Sequence, residues 1–306
     1  MKAILFGGQG SQQVNMGGDF YEKFSFSKDY YDQLDPKLKD LLLKADLETL
    51  STTRNTQPAL IAYHTMISGL LKEAGIRFDY TAGLSIGEYG SLAYSGVITP
   101  KEAIEIAFLR GQIMEEVVEG IDSKMLAVLG TDRGTLEKAC KEVSEKDSFV
   151  EISNLNCPGQ IVVSGERAAV DRLANKIKDQ AKRLIELNTS GPFHTSYLEK
   201  AEDKLREVLE NYTFKEEEAK VVYNLLAREK QKSESCIDIM SKQVSKPVKF
   251  QESIEYLISQ GVDSFVEVGF GNVLKGFIKR IDRSKKVYVI DGIDSYLDFI
   301  NEVKND

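Results

Sequence analysis

Short apolar runs alternate with longer stretches of helical period from end to end of the chain. Ala3 to Phe6 predicts a first strand, followed at once by glycines. Pro58 to Ala74 predicts an apolar helix with the proline in its first turn and Gly75 ending it. Asp79 to Ala82 predicts a short strand before Gly83, and Ile86 to Tyr94 a helix closed by Gly96. The next helix has a marked start: Thr99 as N-cap, Pro100 at the first helical position and Glu102 completing a capping box. Its apolar stripe runs through Ala103, Ile106 and Ala107 to Ile113, Met114 and Val117. Toward the C-terminus, Ser264 to Val268 predicts a strand, Gly269-Phe270-Gly271 a turn and Asn272 to Ile281 a helix.

One segment has its own rhythm. Met125 to Leu129 predicts a strand, Thr131 to Val143 a helix, Val150 to Asn154 and Gln160 to Ser164 two strands, Glu166 to Lys182 a helix and Arg183 to Leu187 a strand. That order, βαββαβ, is the ferredoxin-like arrangement. We therefore expect an α/β protein with a largely parallel sheet, in which residues 124–190 form a small insert and residues 1–123 and 191–306 together form the larger domain.

Composition narrows the classes. With 306 residues, 42% hydrophobic and 29% charged, the chain suits a globular enzyme and not a disordered or fibrous protein. A net charge of -8 argues against general nucleic-acid binding, and an acidic partner would need a local basic patch. Lys182 and Arg183 are candidates for one, against the plainer reading of a solvated pair. The three cysteines, Cys140, Cys157 and Cys236, are far apart and form no metal-binding pair. The opening apolar run is too short for a secretory signal, and no stretch approaches the ~18 residues of a membrane span, so a cytoplasmic location and no membrane partner are expected.

Gly83-Leu84-Ser85-Ile86-Gly87 matches the nucleophile elbow G-x-S-x-G, a sharp strand-to-helix turn that exposes a hydroxyl. The plainer reading is an ordinary tight turn. A serine nucleophile needs a base, and the chain offers two histidines. His64 lies mid-helix among apolar neighbours, which suits a packed or surface role. His194 follows the turn-prone Gly191-Pro192-Phe193 and lies after the serine in the chain, so it is the preferred base. No carboxylate declares itself as a third member, so a backbone or amide oxygen is expected to orient the ring. Gly8-Gln9-Gly10 directly follows the first strand and can present backbone N–H groups to an oxyanion, but neither it nor the later glycine turn completes a nucleotide-binding pattern. Arg110 interrupts the apolar stripe where Leu or Ile would fit. A buried guanidinium keeps its proton, so it calls for an internal carboxylate, a snorkelling pose, or a substrate carboxylate held in its fork.

Taken together these pieces resemble the malonyl-CoA:acyl carrier protein transacylases of fatty-acid synthesis and the related acyltransferase domains of polyketide synthases. The likeness runs the length of the chain through Gly8-Gln-Gly-Ser-Gln, Asn55-Thr-Gln-Pro-Ala, Gly83-Leu-Ser-Ile-Gly-Glu-Tyr, Arg110-Gly-Gln-Ile-Met, Asn156-Cys-Pro-Gly-Gln, Gly191-Pro-Phe-His, Gln243 with Pro247-Val, and Glu267-Val-Gly-Phe-Gly. The resemblance implies an α/β-hydrolase-like large domain carrying the ferredoxin-like insert. It implies Ser85 as the acylated nucleophile, His194 as its base, the Gln243 main-chain carbonyl as the group that holds the imidazole, and the N–H groups of Gln9 and Ile86 as the oxyanion hole. Arg110 would bind the malonyl carboxylate, Phe193 and Met114 would line the acyl pocket, and Asn156 would lie near its entrance. Phe193 resembles malonyl-selective members, where methylmalonyl-selective ones tend to carry Ser. The chain departs from many members at Leu84, where they have His, and at Phe270, where Pro usually stands between the glycines.

The expectation is a ping-pong acyltransferase with malonyl-CoA and acyl carrier protein as partners, no metal, and coenzyme A thioester as substrate instead of a cofactor. Oligomeric state is open, a monomer included. The rival readings are a serine hydrolase or thioesterase on the same scaffold, against which Arg110 argues, and a silent docking subunit, against which the intact set of Ser85, His194, Arg110 and Gln9 argues.

Overall fold

The first apolar run, Lys2–Phe6 (β1), occupies the centre of a five-stranded sheet. The computed structural model describes residues 1–305. After β1 come the helices Gly18–Lys23 (α1), Ser25–Asp32 (α2), Pro36–Lys44 (α3), Leu47–Leu50 (α4) and Thr53–Glu73 (α5). Then follow Tyr80–Gly83 (β2), Gly87–Tyr94 (α6) and Pro100–Val118 (α7). The next group is Ser123–Leu129 (β3), Arg133–Val143 (α8), Val150–Cys157 (β4), Gln160–Glu166 (β5), Arg167–Ile177 (α9) and Arg183–Leu187 (β6). The chain closes with Glu199–Leu209 (α10), Lys220–Val222 (β7), Cys236–Lys242 (α11), Phe250–Ser259 (α12), Ser264–Val268 (β8), Val273–Ile281 (α13), Lys286–Ile290 (β9) and Ile293–Asn305 (α14).

The fold is mixed α/β. One sheet has the order β7-β2-β1-β8-β9 with every pair parallel, and a separate antiparallel sheet has the order β4-β5-β3-β6. Alternation along β1 sends Ile4 and Phe6 into one buried cluster and Ala3 and Leu5 into another, so the parallel sheet is covered on both faces. A third cluster lies between the antiparallel sheet and α8 and α9. Strand β4 is stitched to the segment between α11 and α12: Leu155 N–H donates to Val248 O at 2.9 Å, and Val248 N–H to Ser153 O at 2.9 Å. No helix among the described residues is long and apolar enough to cross a membrane.

Register decides where chemistry can sit. Phe6 is level with Gly83 on one side and Val268 on the other, so the loops after β1, β2 and β8 open together at the carboxyl edge.

The capping box of α7 forms as expected, with Thr99 Oγ1 accepting from Glu102 N–H and the Glu102 carboxylate from Thr99 N–H. Three boundaries differ from the pattern by three residues or more. Helix α5 begins at Thr53, not Pro58, so the proline lies in the second turn. The added turn has no apolar period because its buried side chains, Thr53, Thr56 and Gln57, are polar. Helix α9 stops at Ile177, its last buried apolar residue, and the polar stretch to Lys182 is turn. Strand β4 extends to Cys157, carrying Asn156 inside the sheet, and a register shift near its end breaks the alternation that the pattern needs.

Candidate active site

The elbow between β2 and α6 puts Ser85 at φ 54, a left-handed backbone that a serine adopts only when held there. Close packing explains the flanking glycines. A Cβ on Gly83 would overlap the Gly87 carbonyl, and one on Gly87 would overlap the Phe6 carbonyl at the end of β1. The N–H groups of Leu84, Gly87 and Glu88 close the turn on Phe6, Leu84 and Ser85 carbonyls, which leaves the Ile86 N–H, at the start of α6, outside these bonds. Gly8 lies against the elbow, where a Cβ would come within 2.8 Å of Leu84 O. Gln9 therefore sits beside Leu84, its side chain donating to Thr53 Oγ1 at 3.1 Å, which in turn meets Ser190 Oγ at 2.7 Å.

His194 reaches the same point from the far side. Its backbone is also left-handed, at φ 61, and its N–H donates to Val244 O at 3.1 Å. Ring Nδ1 lies 2.8 Å from the Gln243 main-chain oxygen and Nε2 2.6 Å from Ser85 Oγ. A carbonyl oxygen only accepts, so Nδ1 carries the proton, Nε2 accepts and the Ser85 hydroxyl donates. Burial, reinforced by the nearby Arg110 charge, pushes the imidazole down to about 4, so it is neutral at pH 7 and free to take a proton.

Arg110 is 1% exposed and has no ion pair among the described residues. Nη1 donates to Gln57 Oε1 at 2.8 Å and Nη2 to Gln243 Oε1 at 2.9 Å. Nη2 also lies 3.4 Å from Ser85 Oγ, the guanidinium carbon sits 5.7 Å from the Tyr89 ring centre, and Nε has no partner. Gly111 explains the approach: a Cβ there would press on the backbone of Arg54 and Thr53, so its absence lets α5 and α7 pack closely enough for Gln57 to meet Arg110. The cation is thus buried among amide oxygens beside the serine, short of a carboxylate of its own.

Ser85, His194, Gln243 and Arg110 are joined directly. Met114 is buried, and its sulfur takes the Gln57 amide at 3.5 Å. Phe193, next to the histidine, is buried, and its ring and the Val118 side chain both close on Gly191. Asn156 is buried on β4 with Oδ1 unpartnered, and no hydrogen bond links it to the serine or histidine. Its neighbour Cys157 shares an apolar cluster against which Leu84 packs. His64 is fully buried against Phe6, with neither ring nitrogen hydrogen-bonded, and stands apart from this network. Phe270, in place of a proline, lies 4.9 Å from the Tyr63 ring. Among the described residues no group of His, Cys, Asp and Glu is placed to hold a metal ion, and Cys140, Cys157 and Cys236 are buried and free.

Sequence reasoning did not assign Gln57, Glu88 or Asn224 a place here. Gln57 lies in the Asn55-Thr-Gln-Pro-Ala motif, and Glu88 directly follows the elbow glycine. Asn224 carried only the faint signal of an amide just past a short apolar strand. Glu88 is fully buried, and that burial pushes its carboxyl up to about 7, against hydrogen bonds from Asn224 and Gln243 and the Arg110 charge.

Residues 4–292 match the family described as acyl transferase domain. The malonyl CoA-acyl carrier protein transacylase of Bacillus subtilis (strain 168) is 38% identical over 293 residues, 94% of this chain and 92% of that protein. The enzyme of the same name from Staphylococcus aureus (strain MRSA252) is 37% identical, across 95% of this chain and 96% of that protein. Among solved structures, MCAT from Streptococcus pneumoniae superposes with a TM-score of 0.93 at 38% identity, covering 99% of this chain and 100% of that one. A malonyl-transacylase in complex with its holo type II PKS acyl-carrier protein superposes with a TM-score of 0.93 at 34% identity, covering 98% and 99%.

Proposed function

The chain belongs to the acyl transferase family, and on that premise we propose that it moves a malonyl group from malonyl-CoA to the phosphopantetheine thiol of an acyl carrier protein through an ester on Ser85. The observation that carries the reading is Arg110: a buried guanidinium with no ion pair among the described residues, beside a serine already hydrogen-bonded to a neutral histidine. A general hydrolase gains nothing from a carboxylate fork in that position.

In the first half-reaction Ser85 Oγ attacks the malonyl thioester carbonyl while its proton passes to His194 Nε2. The N–H groups of Gln9 and Ile86 are the oxyanion donors in this reading. Collapse breaks the carbon–sulfur bond, and the departing coenzyme A thiolate takes the proton back from the imidazolium. Burial beside Arg110 favours that return, because it destabilises the protonated ring. In the second half-reaction the carrier's thiol gives its proton to His194 and attacks the ester, and Ser85 recovers the proton as it leaves. Gln243 holds the ring through its main-chain oxygen in both halves. Arg110 holds the malonyl carboxylate while Gln57 and Gln243 fix the fork, and Met114 and Phe193 wall the acyl pocket near Asn156.

The finer architecture belongs to the same proposal. An α/β-hydrolase-like domain over residues 1–123 and 191–306 is supported by the parallel sheet and the elbow at its carboxyl edge. A ferredoxin-like insert over residues 124–190 is supported by the order β4-β5-β3-β6 with α8 and α9 on one side. The reaction needs no cofactor, since the coenzyme A thioester is consumed as substrate, and buried free thiols suit a reducing cytoplasm. Transfer is tested by incubating the protein with malonyl-CoA and holo or apo carrier protein. Malonylation of the holo form alone supports the proposal, and release of free malonate without carrier malonylation overturns it.

A further inference from the structure

Asn224 lies where the parallel ladder between β2 and β7 runs out. The last paired residues are Ala82 and Val222, and beyond them β2 turns sharply into the elbow. Two groups of that turn still need partners, Ser85 N–H and Gly83 C=O. The Asn224 side chain meets both: Oδ1 accepts from Ser85 N–H at 2.8 Å and Nδ2 donates to Gly83 O at 2.6 Å. A side-chain amide thus continues the ladder across the bend that carries the nucleophile. Its orientation is forced, because one partner can only donate and the other can only accept.

Asn224 is itself held by Glu88, whose Oε2 accepts the Asn224 N–H at 3.0 Å. The same oxygen accepts from Gln243 Nε2 at 3.1 Å. Gln243 spends its other amide proton on Ser85 O at 2.8 Å and its oxygen on Arg110. One buried carboxylate therefore anchors two arms. One passes through Asn224 to the turn of the nucleophile, the other through the Gln243 amide to the guanidinium, while the Gln243 main chain holds the histidine.

We infer that Glu88 and Asn224 are positioning residues for acyl transfer, Asn224 setting the pose of Ser85 and Glu88 setting, through the Gln243 amide, the fork of Arg110. This rests on the acyl-transfer reading above and separates the two arms kinetically. Replacing Asn224 by Ala removes both rungs from a left-handed serine, so acylation slows while the acyl carboxylate is still gripped. Replacing Glu88 by Leu, close to it in size, removes the acceptor that both arms share. Gln243 Nε2 then keeps only Ser85 O, and Asn224 N–H loses its partner, so the Gln243 amide that fixes Arg110 is less firmly held.

The experiment is stopped-flow acylation of the full chain by malonyl-CoA and acetyl-CoA, with burst amplitudes counting the acylable enzyme in each preparation. Asn224→Ala should lower the acylation rate constant by roughly 10- to 100-fold for both thioesters, with little change in KM for malonyl-CoA, as expected for a misplaced attacking atom. Glu88→Leu should lower the malonyl-to-acetyl ratio of kcat/KM by about 10-fold, chiefly through KM, the size of one lost hydrogen bond to a charged group. The acylation rate constant is first-order in acylable enzyme and the malonyl-to-acetyl value is a ratio within one variant, so a partly unfolded preparation leaves both signatures intact. Variants that match wild type, or that both show one uniform loss with the malonyl-to-acetyl ratio unchanged, overturn the positioning roles. A wild-type protein that gives no burst with either thioester refutes the acyl-transfer reading itself.

Discussion

Replacing Arg110 by Ala tests the substrate-fork reading most sharply. The side chain is 1% exposed, so a malonyl carboxylate meeting it does so away from water. Loss of a charge-assisted bidentate pair in such a site costs about 2–5 kcal/mol, because the carboxylate stays desolvated and unpaired. That is a roughly 30- to several-thousand-fold fall in kcat/KM for malonyl-CoA. Acetyl-CoA has no carboxylate and should lose little. The effect on stability should be modest, since two opposing terms meet. Gln57 and Gln243 each lose a donor, which costs about 1–3 kcal/mol apiece, while a buried charge with no ion pair among the described residues disappears. Arg110 also helps hold His194 down at about 4, so its removal should move the acid limb of acetyl transfer upward. Lys should rescue malonyl transfer only in part, since an ammonium lacks the planar fork. The assay pairs melting curves with kcat/KM for both thioesters across pH. Equal losses for acetyl and malonyl transfer, with a large fall in Tm, would refute the reasoning and make Arg110 a structural residue.

Three further outcomes are expected. His194→Ala should lower transfer by several orders of magnitude, as loss of a base does, while His64→Ala leaves turnover of the folded enzyme near wild type, and the reverse pattern in steady-state rates would exchange their roles. His64 is held down to about 3 by burial alone, so between there and about 6.5 the unfolded chain takes up a proton that the folded chain refuses. Stability should therefore fall as pH drops through that window, by up to ~1.4 kcal/mol per pH unit. His64→Leu should lose this share of the slope and keep the share that His194, held at about 4, adds, and denaturation curves at pH 5 and 7.5 that tilt equally in both proteins would contradict it. Phe193, buried beside His194, should discriminate against an α-methyl by about 1–3 kcal/mol, so Phe193→Ser should narrow the gap between malonyl- and methylmalonyl-CoA in kcat/KM, and an unchanged gap would remove it as a selectivity element.

The frame was legible where apolar period and turn chemistry agreed. The strand Lys2–Phe6, the elbow, the Thr99 capping box and the strand Ser264–Val268 all carry local signals that tertiary packing leaves in force. Helices α1 to α4 went unread because each is short, four to nine residues, and shows few buried positions for a period to emerge. The start of α5 was misplaced for a related reason: Thr53, Thr56 and Gln57 are buried but polar, Thr53 and Gln57 bonded to Gln9 and Arg110 at the site and Thr56 to the Leu50 carbonyl. Arg110 stood out because a cation in an apolar stripe is a visible contradiction. The group that holds His194 is a main-chain oxygen, which any residue could supply, so resemblance alone pointed to Gln243. Asn224 and Glu88 act through partners distant in sequence, so a place after the elbow glycine or just past a short strand did not by itself tell what either side chain holds.

The central claim is that Ser85 carries the acyl group between two thiols. Intact-mass and peptide analysis after mixing with malonyl-CoA measures it directly. The account predicts a single malonyl ester on Ser85 that holo carrier protein discharges, and no adduct on a folded Ser85→Ala variant. A malonyl adduct that persists in Ser85→Ala, or that maps to another residue in the wild type, would contradict it.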